Sequence, residues 1–90
     1  MDSIPATAYL HRMSEANWDH ELDARGLLCP LPVLKARKRL QGLPKGAVLR
    51  VVADDPAAVV DVPHFCAESG NSLVGTAEEA GAQVYLIRKV

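Results

Sequence analysis

The run Gly26-Leu27-Leu28-Cys29-Pro30-Leu31-Pro32 is the most informative part of the sequence, because it marks the start of the first predicted helix. Proline is tolerated in a first helical turn, where its missing N–H would have no intrahelical partner. The run therefore predicts Cys29 as the N-cap and Pro30 as the first helical position, with Pro32 stiffening the same turn. Gly26 is predicted to supply an unusual backbone angle in the turn before the helix.

This position predicts a reactive thiol at Cys29. Thiolate is the reactive form, and the unpaired N–H groups and positive dipole end of a helix N-terminus favour it. The donors nearest the sulfur are expected to be the N–H groups of Leu31 and Val33. A helix terminus contributes only about 0.3–1 kcal/mol, so we expect the pKa of Cys29 to be modestly lowered. The helix adds nearby cations: Lys35, Arg37, Lys38 and Arg39. The alternative interpretation is a buried, inert cysteine at a helix start.

The chain has 90 residues, of which 49% are hydrophobic. This length and this composition favour one small globular domain. A formal net charge of -1 weighs against a general nucleic-acid binder. Two cysteines are too few for a secreted disulfide framework, and the chain shows neither a signal peptide nor an apolar run that would cross a bilayer. The simplest expectation is a cytoplasmic protein whose partners are neither nucleic acid nor membrane.

The first half of the chain predicts a strand, a helix and a second strand. Residues 1–17 show no clear period and are expected to be a flexible extension before a domain at 18–90. A short alternating strand is predicted at His20–Ala24, and the first helix at Pro30–Gln41. The β-branched run Val48–Ala53 predicts the second strand.

The second half predicts a helical region followed by two strands. Asp54-Asp55-Pro56 is typical of a helix start, with an aspartate cap and proline at the first position. Because proline removes a backbone donor and clashes with the preceding turn, Pro63 predicts a break between an irregular turn at Ala57–Asp61 and a helix that ends near Ser69.

The closing strands are predicted at Ser72–Thr76 and Gln83–Lys89, joined by a hairpin at Glu78–Gly81. The order is thus strand, helix, strand, helix, strand, strand. With four short strands, this order favours an α/β two-layer sandwich: a four-stranded mixed sheet with both helices on one face.

Several sequence blocks resemble one known family. Leu22–Pro32 resembles the pattern of the TusA/SirA sulfur-carrier proteins, whose hallmark is Cys-Pro-x-Pro at the start of the first helix. Ala53–Ala57, Asp61–Cys66 and Tyr85–Lys89 agree with the same family in the same order. The match covers about residues 20 to 89, and it implies a compact βαβαββ fold.

The resemblance implies that Cys29 accepts a sulfane sulfur as a persulfide and passes it to a partner protein, with Gly26, Pro30 and Pro32 as the supporting motif. Members serve tRNA thiolation, molybdenum-cofactor assembly or sulfur oxidation. The chain would then be a carrier rather than a turnover enzyme, because no acid–base pair stands beside the nucleophile. No cofactor is expected.

The resemblance also implies two kinds of partner, a sulfur donor such as a cysteine desulfurase or a rhodanese, and a sulfur acceptor. Family members dock partners through the surface around the cysteine and the first helix, which here includes Arg37 and Lys38. The aspartate before the second helix, which matches Asp55, is also implicated. The position between the two prolines, often acidic in tRNA-pathway members, is Leu31 here.

Other candidate residues have simpler interpretations. Cys66 follows Phe65 on a predicted apolar helix face, so a buried structural cysteine is expected, unable to bond to Cys29 without rearrangement. The histidines are not spaced as a metal-ligand pair with a cysteine, so no metal site is predicted, and a histidine base beside the sulfur at His20 or His64 is disfavoured. Arg25 either approaches the sulfur or is solvated.

Two alternative functions stay open on the sequence. One is a redox-sensitive regulatory or interaction module that binds a partner through the basic first helix. The other is an RNA-binding domain of similar layered topology, against which the near-neutral charge and the single phenylalanine argue.

Overall fold

The computed structural model describes residues 18–90 and confirms the predicted order of elements. The predicted extension at 1–17 lies outside the described residues. The helices and strands are β1 (His20–Asp23), α1 (Leu31–Gln41), β2 (Val48–Ala53), α2 (Ala58–Ser69), β3 (Ser72–Glu79) and β4 (Ala82–Arg88). Among residues 18–90, no helix is long and apolar enough to cross a membrane.

The four strands form one mixed sheet in the order β1-β2-β4-β3. β1 runs parallel to β2, with Leu22 opposite Val51, whereas β4 is antiparallel to both β2 and β3. β1 and β2 are joined through α1, as a parallel pair requires a crossover connection. Because the end of β1 and the end of β2 lie at the same edge of the sheet, the loops that follow them are brought together.

Both helices pack on the same face of the sheet, as predicted. The principal core joins Ala36 and Leu40 of α1 with Val62 and Phe65 of α2. The sheet contributes alternate residues to this core, in keeping with the two-residue period of a strand: Leu22, Leu49, Val51, Ala53, Tyr85 and Ile87. A smaller cluster includes Val52 and Val84, whose side chains point to the opposite face. The architecture is therefore the predicted two-layer sandwich.

The predicted break at Pro63 is wrong, because α2 is one continuous helix through this proline. Pro63 removes the N–H that would have bonded to the carbonyl of Val59. Val59 is 53% exposed, so this part of the helix lies on the solvent side. The same helix buries Val62, Phe65 and Cys66 against the sheet. Burial of this face offsets the local cost of the proline, so the helix continues.

The closing hairpin is tighter than predicted. β3 extends to Glu79 rather than Thr76, and only Ala80 and Gly81 connect it to β4. Both connecting residues have positive φ, 50° at Ala80 and 84° at Gly81. Two successive positive φ angles are the signature of a type I′ turn, whose twist matches that of the flanking strands.

Candidate functional site

Cys29 lies at the surface, immediately before α1 rather than at its N-cap. The helix begins at Leu31 and its N-cap is Pro30, so the predicted capping role of Cys29 and the predicted helical position of Pro30 are each wrong by one residue. The Cys29–Pro30 peptide bond is cis. Pro32 is buried in the first turn of α1, as a rigid start to the helix.

The helix N-terminus offers the sulfur less than predicted. The N–H of Leu31, expected to be free near the sulfur, donates a hydrogen bond to the carbonyl oxygen of Leu28 at 2.8 Å. Pro30 and Pro32 have no N–H to offer. Cys29 therefore lies just outside the N-terminus of α1, where few backbone N–H groups are available to donate to the sulfur.

The turn before the cysteine is held from a neighbouring loop. Gly26 has φ of 83°, which confirms the predicted unusual backbone angle, a conformation that side-chain-bearing residues rarely adopt. Its N–H donates a hydrogen bond to Asp54 Oδ1 at 3.0 Å. Asp54 follows β2, so the β2–α2 connection supports the loop that carries the thiol.

Asp55 fixes the backbone of the cysteine itself. The N–H of Cys29 donates to Asp55 Oδ2 at 2.6 Å, and the N–H of Ala57 lies 3.3 Å from Asp55 Oδ1. The Asp55 residue is only 8% exposed. The predicted aspartate cap of α2 is wrong, because the helix begins at Ala58 with Ala57 as N-cap and no side-chain capping bond. Asp55 instead ties the two loops together; its contact with a partner stays a prediction.

Carboxylates dominate the electrostatics of the thiol. A hydrogen bond from Cys29 to Asp61 raises the pKa of the Cys29 thiol above its ordinary value; partial desolvation and the negative charges of Asp61 and Asp55 raise it further. The predicted lowering of this pKa is therefore wrong. Both carboxylates come from the region after β2, which packs beside the helix end that was expected to activate the sulfur.

Cys29 opens onto a cleft of about 240 Å³ between α1 and α2. The cleft is lined by Pro30, Val33, Leu34, Arg37, Asp61, His64, Phe65 and Glu68 together with the cysteine. His64, disfavoured on sequence as a neighbour of the sulfur, is thus in the same cleft, with its Nε2 3.3 Å from Glu68 Oε2. His20, at the start of β1, is not among the lining residues.

The two predicted docking cations on α1 face different grooves. Arg37 lines the cleft that holds the thiol. Lys38 instead lines a groove beside β1, with Lys35 and Arg39. Arg39 donates a hydrogen bond to the backbone oxygen of Glu21 at 2.8 Å, across the edge of that strand. The basic residues of α1 therefore spread around the helix rather than converging on the sulfur.

Apolar side chains also flank Cys29 along the chain and in its cleft. Leu28, immediately before Cys29, is 67% exposed, and Leu31 and Leu34 are 45% and 48% exposed. Exposed leucines that flank one reactive residue are typical of a surface that a partner covers.

The second cysteine, Cys66, is not among the residues that line the cleft of Cys29. Cys66 is free, 4% exposed and part of the apolar core under α2. Burial raises the pKa of its thiol. The expected buried structural cysteine is confirmed, and Cys29 is likewise a free thiol.

Arg25 is bound elsewhere, because its guanidinium donates to both carboxylate oxygens of Asp23, at 2.9 and 3.0 Å. This pair is exposed and stands before the glycine turn. Within residues 18–90, no three acidic, histidine or cysteine side chains are grouped to hold a metal ion.

Sequence reasoning missed the roles of Asp54 and Asp61. Because Pro63 predicts a helix break, the sequence places Asp61 in an irregular turn before it. A continuous helix instead places Asp61 in the first turn of α2, with its side chain in the cleft. The available signal was the recurrence of Ala58, Val62 and Phe65 at helical spacing across the proline.

Comparisons with known proteins agree with one another. A family model described as Sulfurtransferase TusA matches residues 20–89. A sulfur carrier protein TusA of Allochromatium vinosum is 47% identical over 74 residues, covering 82% of this chain and 97% of the relative. One from Pseudomonas entomophila is 46% identical over 77 residues, covering 86% and 96%. The crystal structure of a SirA-like protein from Desulfitobacterium hafniense superposes with a TM-score of 0.70 at 25% identity, covering 78% of this chain and 96% of that one.

Proposed function

This chain belongs to the TusA family of sulfurtransferases and is a sulfur-relay carrier; on that premise we propose that Cys29 is the residue that carries the sulfur, as a persulfide. A sulfur carrier exchanges sulfur with partner proteins. We propose that these partners dock on the surface around Cys29. Gly26, Pro30 and Pro32 form the rigid support of this residue.

One observation carries the assignment: Cys29 is exposed while its backbone is fixed, and the other cysteine is buried. Two different proteins must reach a carrier sulfur, so exposure is required. The hydrogen bond from Cys29 N–H to Asp55 holds the residue in place, and a fixed donor keeps the orientation that transfer needs. Burial of Cys66 keeps the second thiol from attacking a persulfide and releasing its sulfur as sulfide.

The transfer moves one sulfur atom without net oxidation. The Cys29 thiolate attacks the outer sulfur of a persulfide on the donor protein, and the S–S bond of the donor breaks. The donor cysteine leaves as a thiolate and takes up the proton that Cys29 lost, while a new S–S bond forms on Cys29. The acceptor repeats the same exchange in the opposite sense, which returns Cys29 to the thiol.

We assign the partners by class. The donor is a cysteine desulfurase or a rhodanese, and the acceptor is a protein of tRNA thiolation, molybdenum-cofactor assembly or sulfur oxidation. Arg37, Lys38 and Asp55 are proposed to contribute to docking, Arg37 directly from the cleft. The relay is proposed to operate in the cytoplasm, between proteins, without direct contact with nucleic acid or membrane.

Loading the protein with sulfur tests this proposal. The full chain is incubated with a cysteine desulfurase and cysteine, or with a rhodanese and thiosulfate, and its intact mass is measured before and after reductant. The wild type and Cys66→Ala should gain the mass of one sulfur atom, which reductant removes. Cys29→Ser should gain none. Loading of Cys29→Ser but not of Cys66→Ala would overturn the assignment.

The same experiment separates the carrier from the redox-sensitive interaction module. A module whose thiol is incidental would gain no reductant-labile sulfur from either donor, although it would still bind a partner through α1. Binding that survives Cys29→Ser together with absence of loading in the wild type would favour the module.

A further inference from the structure

We propose that Asp61 is a positioning residue that keeps the Cys29 sulfur protonated in the free carrier, so that an exposed sulfur does not react outside its relay. The role deepens the proposed function and rests on Cys29 being the sulfur-carrying residue. The role applies to the same thiol while the carrier is bound to neither its donor nor its acceptor.

The geometry comes from the continuous helix α2. Asp61 lies in the first turn of α2, and its side chain reaches the cleft that Cys29 opens onto. Cys29 and Asp61 line the same cleft, and hydrogen bonding to Asp61 together with its negative charge raises the pKa of the thiol. The first turn of a helix favours a negative charge, which suits Asp61 to act as an acceptor rather than as an acid.

Asp61 could act on the Cys29 thiol either as a base that removes its proton or as an acceptor that stabilises the neutral form. An ordinary thiol holds its proton more tightly than an ordinary carboxylate by a factor of more than about 10⁴, so a carboxylate is in general a poor base toward a thiol. A carboxylate that accepts the thiol hydrogen instead stabilises the neutral thiol, and its negative charge opposes formation of a thiolate beside it. Asp61 therefore restrains the sulfur.

The restraint fits the exposure of the site. Only the thiolate reacts readily with electrophiles and oxidants, and Cys29 is exposed to both. Other charged or titratable groups face the sulfur from each element around the cleft: Arg37 from α1, Asp55 from the β2–α2 connection, and His64 and Glu68 from α2. Among these, Asp61 contributes most to raising the pKa of the thiol, so its removal should have the largest effect.

The pH profile of Cys29 alkylation tests the proposal without any sulfur donor. Iodoacetamide is reacted with the full-length protein across the pH range, and modification of the Cys29 peptide is followed by mass spectrometry. Asp61→Asn should shift the profile to lower pH and accelerate alkylation at neutral pH by about two- to tenfold, the range that the net free energy of one hydrogen bond corresponds to. A purely structural role for Asp61 would leave the pH midpoint unchanged.

Glu68→Gln is the matched control, because it removes one negative charge from the same cleft but leaves the hydrogen-bond acceptor of the thiol. Its profile should move less than that of Asp61→Asn. An equal shift in both variants, or none in Asp61→Asn, would overturn the proposal. Should the asparagine variant fail to fold, Asp61→Ser is measured by the same profile.

Sulfur loading of the wild type is measured separately. If the wild type does not load but Asp61→Asn still shifts the alkylation profile, the proposed function fails while the restraint by Asp61 stands. If the wild type loads and the profile does not shift, the reverse holds.

Discussion

The backbone N–H of Cys29 donates a hydrogen bond to Asp55 Oδ2 at 2.6 Å, although the two residues are 26 positions apart in sequence. The bond ties the loop that follows β1 to the loop that follows β2, and the carboxylate is only 8% exposed. Folding of the sheet and placement of the thiol are therefore coupled through one side chain.

Asp55→Ala should lower the free energy of unfolding by about 1.5–3 kcal/mol, because it leaves a partly buried N–H without its charged acceptor. Asp55→Asn keeps an acceptor oxygen and should cost less. Urea unfolding of the three proteins measures both differences. An alanine variant as stable as the wild type would show that this bond does not hold the loop.

Charge reversal on α1 should slow sulfur loading from a protein donor. Rim charges act mostly on association rates, so Arg37→Glu or Lys38→Glu should each reduce the loading rate by up to about tenfold at low salt and less at high salt. Lys45→Glu, an exposed reversal in the loop after α1, is the control. Equal rates for Lys38→Glu and wild type at low salt would contradict docking on both sides of α1.

Tyr85→Phe should maintain or raise the free energy of unfolding. The Tyr85 hydroxyl is buried and has no hydrogen-bond partner among the described residues, and burial raises the pKa of this tyrosine. Removing an unsatisfied buried hydroxyl recovers a desolvation cost of about 1–3 kcal/mol, reduced by the van der Waals packing that the oxygen atom provides. A fall of more than about 1 kcal/mol in the same urea assay would indicate a partner for this hydroxyl.

Asp23 should titrate well below other aspartates. Hydrogen bonds from the side chain and backbone N–H of Arg25 lower the pKa of Asp23 from its ordinary 3.8 to about 2. A carboxyl whose pKa is depressed by folding stabilises the fold above its unfolded pKa, and that contribution disappears as the pH falls from 3.8 through about 2. Carboxyl-carbon NMR titration measures the value directly.

Arg25→Ala should return the pKa of Asp23 part of the way to 3.8, because the alanine backbone N–H can still donate. Arg39→Ala, which removes a cation bound to a backbone oxygen instead, should not change it. A wild-type Asp23 that titrates near 3.8 would contradict the pairing seen in the structure.

Local sequence rules recovered much of the fold. The strand Val48–Ala53 is confirmed at both ends, because a β-branched run that ends at two aspartates and a proline has a clear boundary. Gly42 ends α1 as its C-cap, and Pro44 follows shortly after. The same rules failed at Pro63, where burial of the apolar face of α2 outweighed the local preference of proline.

The electrostatic environment of the Cys29 thiol could not be predicted from the sequence of α1 alone. The sequence predicts an activating helix end and nearby cations on α1. The N–H of Leu31 is instead bonded to Leu28, and of the four predicted cations Arg37 alone lines the cleft of Cys29. The dominant charges are those of Asp55 and Asp61, which are distant in sequence and lie near Cys29 because β1, which precedes the cysteine, is adjacent to β2, which precedes both aspartates. The negative charges of Asp55 and Asp61 therefore raise the pKa of Cys29, whereas the sequence of α1 predicts a lowered pKa.

The position of the transferred sulfur is the most direct test of Cys29 as the carrier residue. Wild-type protein loaded by a desulfurase is digested without reductant and analysed by peptide mass spectrometry. We expect one additional sulfur on the peptide that contains Cys29 and none on the peptide that contains Cys66. Additional sulfur on the Cys66 peptide, or a disulfide between the two cysteines in place of a persulfide, would contradict a relay through Cys29.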